Sequence, residues 1–500
     1  MAGAAGRRNA DVAQSGRGRR GALSGAGAVT MLAALLAALP APLPAGPAAG
    51  VAGRSRAVAV SNWTVYHGEP SGSGLATSPT SLWPLSRSPV WRSAPLQGDL
   101  YGEPLVAGDR VYVATEADEV DALSADRGSV LWHRSLGTAV PATDLPCGDI
   151  QPTVGVTGTP VIDPERHELF AVADQLVDGG IEHVLYGLDL STGKTMLAEP
   201  VDPPGTVPAD QLQRTGLNLD DGEVVFGYGG NYGDCGDYHG WVVAVPESGG
   251  TPRTFEVASG PGESQGAVWM GGAAPEVDGG GNIWVATGNG SATAPRSAYD
   301  DGDGVLELDS DLRLEQFFAP ATWRQDNADD LDLGSSSPAL AAGGLALQAG
   351  KSSTAYLLRR SDLGGVGQPL ASAGSVCDGE VDGGTAVVGQ TVLLPCQSGI
   401  VAVRVTAGGS PHISTRWRSA GGAGGAVVQG RYLYAVDRSA GTLDVMRLDT
   451  GTVVRRTPIG TPANHFPTPS AADGLLLVAS ADRVLAFDGP SGTPPAPSTS

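Results

Sequence analysis

The sequence predicts an all-β protein, an eight-bladed propeller of four-stranded antiparallel blades closed by an N-terminal strand. Three observations lead there. The chain has 74 glycines, 37 prolines and only 17% charged residues among its 500, a composition suited to many short strands joined by tight turns. No long amphipathic helical pattern occurs in it. And one unit recurs eight times: Pro or a small residue, three or four apolar residues, Gly, a short strand, then a second strand ending near Asp-x-x-Gly. All-strand units repeating every 40 to 65 residues or so indicate blades around a ring.

In chain order, residues 1–57 stand apart. They hold seven arginines and one acid, then the apolar run "GAVTMLAALLAAL" and a Pro/Ala/Gly stretch, the layout of a secretory signal and linker. Arg19-Arg20 ahead of the apolar run also permits twin-arginine export. That run is short for a bilayer, and no other segment reaches about 18 uninterrupted apolar residues. A secreted or extracytoplasmic monomer without a transmembrane span is therefore expected, at the cell surface or in the periplasm. Without residues 1–57 the formal charge goes from −22 to −28. So acidic a chain repels phosphate backbones, which argues against a nucleic-acid partner.

The propeller is expected over residues 58–488. Its first unit reads "EPLVAGDRVYVATEADEVDALSADRGSVLW"; the others begin at "TPVIDPERHELFAVA", "LNLDDGEVVFGYGG", "APEVDGGGNIWVATG", "SPALAAGGLALQAG", "TAVVGQTVLLPC", "GAVVQGRYLYAVD" and "TPSAADGLLLVAS". The last stops at "VLAFDG" without a fourth strand and runs into a disordered Pro/Ser tail, 489–500. An orphan strand around Trp91, "SPVWRSAPLQG", precedes the first unit and would complete the last, leaving no open edge. Four cysteines without a CxxC pair suggest two disulfides in an exported chain: Cys377 with Cys396 by proximity, and Cys147 with Cys235 by subtraction.

These units resemble the pyrroloquinoline-quinone (PQQ) type repeat, with its "VYV…G…ALD…TG…LW" pattern, over most of residues 62–488. The opening "NWTVYHGEPSGSG" is similar to the lead-in of that superfamily. The resemblance implies an eight-bladed propeller. Some members are quinoprotein dehydrogenases that oxidise alcohols or polyvinyl alcohol; others bind protein partners without a cofactor, as the barrel-assembly lipoprotein of outer membranes does. For a dehydrogenase it implies PQQ, Ca²⁺ and a set of site residues. Trp269 in "GAVWMGG" corresponds to the aromatic floor under the quinone, and Asn289 in "VATGN" to a calcium ligand. Asp332 in "NADDLDLGSSSP", with Asp330 as the other register, corresponds to the general base that also contacts the metal. Lys351 in "QAGKSSTAYLL", one of only two lysines in the chain, corresponds to the cation that polarises the quinone.

Those roles suit the residue types. An indole offers a broad face for stacking, calcium takes oxygen ligands, and a carboxylate can accept a hydroxyl proton. The chain also departs from the family. The glutamate that completes the calcium set has no clear match, Glu182 and Asp234 being out of register. The vicinal cysteine pair and any haem motif are absent, so electrons would pass to a separate acceptor. Plainer roles exist for each residue: Trp269 as a blade-packing aromatic, Asn289 in a left-handed turn between glycines, Asp330 and Asp332 as turn caps, Lys351 as a solvated turn residue. "YDDGDG", 299–304, reads as an acidic turn rather than a calcium loop, and His239 as a surface histidine on a long loop. Two functions are consistent with all this: a quinoprotein dehydrogenase acting on a small alcohol or polyol, or a non-catalytic propeller that binds protein or glycan at the cell surface.

Overall fold

The computed structural model describes residues 61–490. Eight antiparallel sheets succeed one another along the chain as the blades of a propeller. Their first strands begin at Leu105, Val161, Asn218, Glu276, Ala339, Ala386, Ala426 and Ser470, each one or two residues after the start of a repeat. Within blade 1 the strands are Leu105–Ala107, Arg110–Ala114, Glu119–Ser124 and Val130–Ser135, each hydrogen-bonded to the next. The second and third strands are almost wholly buried, the third carrying the acids Glu119 and Asp121 among its apolar residues. The fourth alternates, as in Thr195–Pro200 of blade 2, because only one of its faces is packed. The single α-helix among the described residues, Trp323–Ala328, lies between blades 4 and 5.

The ring closes with the N-terminal strand. Trp91–Arg92 pairs antiparallel with Arg483–Asp488, Trp91 opposite Ala486 and Arg92 opposite Leu485, and so supplies the fourth strand of blade 8. Tryptophans of fourth strands also tie neighbouring blades together. The Trp91 indole lies on Gly128 of blade 1 and donates to the Ala125 carbonyl at 2.8 Å. Trp132 does the same on Gly193 with the Leu190 carbonyl, and Trp417 on Gly451 with the Leu448 carbonyl. Each of these glycines has φ +67° and a ring where a Cβ would stand, so only glycine satisfies both the turn and the contact. This accounts for the "Gly…Trp" spacing at the end of the unit.

Residues 63–76 follow the first strands of six blades. They exchange main-chain hydrogen bonds with Val106 of blade 1, Val428 of blade 7, and, as acceptors only, with Ile162, Val277 and Val387 of blades 2, 4 and 6. The Asn218 side chain of blade 3 donates to the Pro70 carbonyl at 2.8 Å. His67 and Glu103 are buried in this packing, the His67 N–H donating to Glu103 at 2.9 Å. This segment plugs the ring at its centre. The disulfides are Cys147–Cys235 and Cys377–Cys396, the pairing expected. The signal read in residues 1–57 and the tail beyond residue 490 lie outside the described residues. Among those described, no helix is long and apolar enough to cross a membrane.

Candidate functional site

A cavity of about 580 Å³ is lined by Trp269, Asn289, Asp330, Asp332 and Lys351 together. Asn289, Lys351 and Gln397 come from the loops after the second strands of blades 4, 5 and 6, and the wall also takes in residues 231–234 of blade 3 and connections between blades. Only an end of the propeller axis receives loops from so many blades. Of the two acids considered for the missing ligand, Asp234 lines this cavity. Glu182 does not; it pairs with Gln175 within blade 2.

The strand Ile283–Ala286 is fully buried and ends in Thr287-Gly288-Asn289-Gly290. The two glycines do not serve a left-handed turn, since neither they nor Asn289 has a positive φ. They are needed for close approach. A Cβ at residue 288 would lie 2.6 Å from Asp332 Oδ1, and one at residue 290 would lie 2.8 Å from Asp300 Oδ2. With nothing in the way, the Asn289 N–H donates to Asp332 Oδ1 at 2.6 Å and the Gly290 N–H to Asn327 Oδ1 at 2.9 Å. The Asn289 side-chain amide has no hydrogen-bond partner among the described residues and borders the cavity. The acidic turn 299–304 braces this corner: the Asp303 N–H donates to the Gly288 carbonyl at 2.8 Å, and Asp303 Oδ1 accepts from the Leu333 N–H at 2.9 Å.

Lys351 Nζ sits 2.7 Å from Asp332 Oδ2, 2.8 Å from Asp330 Oδ1 and 5.8 Å from the centre of the Trp269 ring. Asp332 is 4% exposed. Burial pushes its carboxyl above the usual carboxylate range, while Lys351 and the Asn289 N–H pull it back. Burial acts against the Lys351 ammonium too, but Asp332 and Asp330 outweigh it and hold the group charged. Asp330 is exposed, with φ 54°. Trp269 is half-buried at the mouth of a glycine turn, its ring tilted 51° to that of Phe466 at 5.8 Å. Cβ atoms at Gly271 and Gly272 would strike the Gly383 backbone and the Arg214 guanidinium.

Sequence reading missed Arg214, Asp382 and Phe466. Arg214 is a buried cation beneath the cavity, donating to Asn464 Oδ1 at 3.0 Å; nothing in "QLQRTGL" distinguishes it from a surface arginine. Asp382 is 8% exposed, with Oδ1 buried and unpartnered, and burial lifts it to about 7. Both disulfides tie down cavity walls. Cys147 and Cys235 stand beside Asp149 and Asp234, and Cys377 and Cys396 hold the stretch containing Glu380 and Asp382. His239 is not part of the lining; its Nδ1 meets the Val257 carbonyl at 3.3 Å.

Quinohemoprotein alcohol dehydrogenase from Comamonas testosteroni superposes with TM-score 0.62 at 14% identity, over 87% of this chain and 82% of its own. Quinohemoprotein alcohol dehydrogenase ADHIIG from Pseudomonas putida HK5 gives the same score and identity over 88% and 82%. A europium-containing methanol dehydrogenase gives 0.62 at 12% identity over 86% and 98%. The family model for the outer membrane protein assembly factor BamB matches residues 84–233. The chain has the PQQ-like repeat propeller fold. At these identities the likeness is one of fold, and no curated protein matches the sequence.

The residues of this PQQ-like propeller offer an aromatic face and cations to a flat quinone, and a lysine beside the two carboxylates where calcium is expected. For the quinone, the cavity has ordinary ligand volume, a half-buried indole, a lysine ammonium near that ring and a buried guanidinium. For calcium, Asn289, Asp330 and Asp332 border the same cavity, but a lysine ammonium stands between the two carboxylates. Among the described residues no three Asp, Glu, His or Cys side chains come close enough to hold a metal. Lys351 occupies the position a divalent ion would take between Asp330 and Asp332.

Proposed function

We propose that the axial cavity is a quinone-dependent alcohol dehydrogenase site. The observation that carries this is the convergence of Trp269, Asn289, Asp332 and Lys351, from blades 3 to 5 and their connections, on one cavity. Bound here, PQQ would supply the hydride acceptor for the alcohol carbon. Trp269 would offer an aromatic surface for its ring system, and Lys351 Nζ a positive charge for the quinone oxygens. Asp332 Oδ2 takes the hydroxyl proton of a small alcohol or polyol, its carboxyl raised by burial toward the range of a working base. Asn289 holds Asp332 Oδ1 through its N–H, and Oδ2, which meets Lys351 Nζ at 2.7 Å, takes that proton as the ammonium turns to the quinone oxygens. Electrons then leave to a separate acceptor. The two disulfides agree with an extracytoplasmic location.

The test is alcohol-dependent reduction of an artificial acceptor by the protein preincubated with PQQ. Asp332→Asn should lower kcat by about 10²- to 10⁴-fold while quinone binding persists. Undiminished turnover in that variant excludes the mechanism.

A second reading has its own observation. Six carboxylates line the cavity, those of Asp149, Asp234, Asp330, Asp332, Glu380 and Asp382, against Arg214, Lys351 and His465. Such a surplus favours a cationic or neutral ligand over the quinone tricarboxylate, and with it a non-catalytic propeller that binds a protein or glycan. That reading predicts no quinone binding by the purified protein.

A further inference from the structure

A second cavity, of about 380 Å³, lies at the seam between blades 6 and 7 and shares no residue with the axial one. Arg404, Arg416, Arg431 and Arg447 line it, with Trp417 and the lone acid Asp449. This is unusual in a chain of net charge −22. The surrounding sequence is inverted in charge as well: residues 401–460 contain eight arginines and three aspartates, with no glutamate.

Two of these charges, those of Arg404 and Arg416, are not cancelled by an ion pair with any described residue. Asp449 is held by Arg447 through Nε and Nη2 at 2.9 and 2.5 Å. Arg404 has only a long contact of 3.4 Å to Gln390 Oε1. Arg416 makes no hydrogen bond or ion pair with any described residue. The Trp417 indole is fixed, resting on Gly451 and donating to the Leu448 carbonyl at 2.9 Å, and it lines the cleft together with the guanidinium groups. Strand Gly399–Thr406 carries Arg404 and strand His412–Arg418 carries Arg416 and Trp417, so the cluster stands on sheet rather than on loops.

We infer that this seam is a binding site for an acidic saccharide, a sugar chain carrying carboxylate or phosphate groups. Guanidinium forks match such groups in a planar, bidentate way, and a fixed indole offers a sugar ring an apolar face. The volume suits one or two sugar rings rather than a folded partner. A bilayer or a nucleic-acid duplex extends far beyond the Debye length of about 8 to 10 Å and would meet the acidic remainder of the protein. A thin chain entering the seam meets only the arginines.

The experiment is calorimetric titration of the purified protein with a galacturonic acid tetramer, with cellotetraose as neutral counterpart and phosphatidylglycerol vesicles as the extended anionic surface. The uronate should bind at least about tenfold more tightly than cellotetraose, weaken with added salt, and lose about tenfold or more in Arg404→Gln/Arg416→Gln. Both side chains are exposed, so the variant should keep the parental Tm, which is measured alongside. Equal binding of the neutral tetramer, unchanged uronate binding in the variant, or tighter binding to the vesicles overturns the inference.

Discussion

At the scale of single residues, the site depends on what is missing at position 288. Gly288→Ala places a methyl group against the Asp332 carboxylate, and overpacking of this kind costs about 1 to 3 kcal/mol. It should lower the denaturation midpoint and also disturb the Asn289 to Asp332 hydrogen bond, so that turnover falls more than stability alone explains. Gly290→Ala, further from Asp332, should affect stability with less effect on turnover. The Lys351 ammonium between Asp330 and Asp332 makes a second prediction: millimolar Ca²⁺ should leave the Tm unchanged, because a ligand bound only by the folded state would raise it. A calcium-dependent rise would show that the ion displaces the lysine. That Trp269, Asn289, Asp332 and Lys351 would meet in one place was legible because each sits in a short motif with a resemblance to lean on. Arg214 and Asp382 were not, since their burial results from distant blades meeting and leaves no local mark. The plainer role the sequence allowed Asn289, a left-handed turn between glycines, is excluded by the absence of a positive φ there; such a turn and a close approach call for the same residue, and the pattern of residues does not tell them apart.

At the scale of elements, the blades were legible almost to the residue because every first strand follows the same small-residue and glycine punctuation. The ties between blades were not, although the Gly and Trp that form them lie within the quoted repeat. Trp91→Ala should cost about 3 to 5 kcal/mol, the usual range for a buried tryptophan, because it removes both the indole on Gly128 and the anchor of the closing strand. A double-mutant cycle with Gly128→Ala checks this: the two changes break one contact, so their costs should fall short of additivity. The disulfides differ in reach. Cys147–Cys235 spans 88 residues and Cys377–Cys396 spans 19. In the chain-entropy picture these are worth about 4 to 5 and about 3 kcal/mol. Serine replacement of the first pair should therefore lower stability more than replacement of the second, and each should loosen a wall of the cavity.

At the scale of the whole molecule, closure by Trp91–Arg92 and the plug at residues 63–76 make the ring depend on its N-terminal segment, as the orphan strand implied. A chain lacking residues 58–100 should lose cooperative unfolding altogether. Stability should also fall as pH rises. Between blades 1 and 2, burial lifts Glu116 to about 7 and Asp118 to about 9. Burial opposes the charged His183 imidazole, but Asp174 and Asp202 outweigh it and hold the group up to about 10. All three are raised above their unfolded values, so the native state binds more protons than the unfolded one and loses stability as pH climbs through these values. Tm should be highest near pH 5 and decline steadily to pH 9; a maximum above pH 8 would contradict the account.

The central claim is that the axial cavity receives a quinone on Trp269 beside Lys351. It is tested most directly by titrating the purified protein with PQQ at pH 6, following tryptophan fluorescence and the quinone absorption band, alongside Trp269→Ala and Lys351→Ala. Saturable one-to-one binding that both variants weaken about tenfold or more, the scale of one charge-assisted contact, is the predicted result. Absence of binding at tens of micromolar, or binding that neither variant changes, would contradict it.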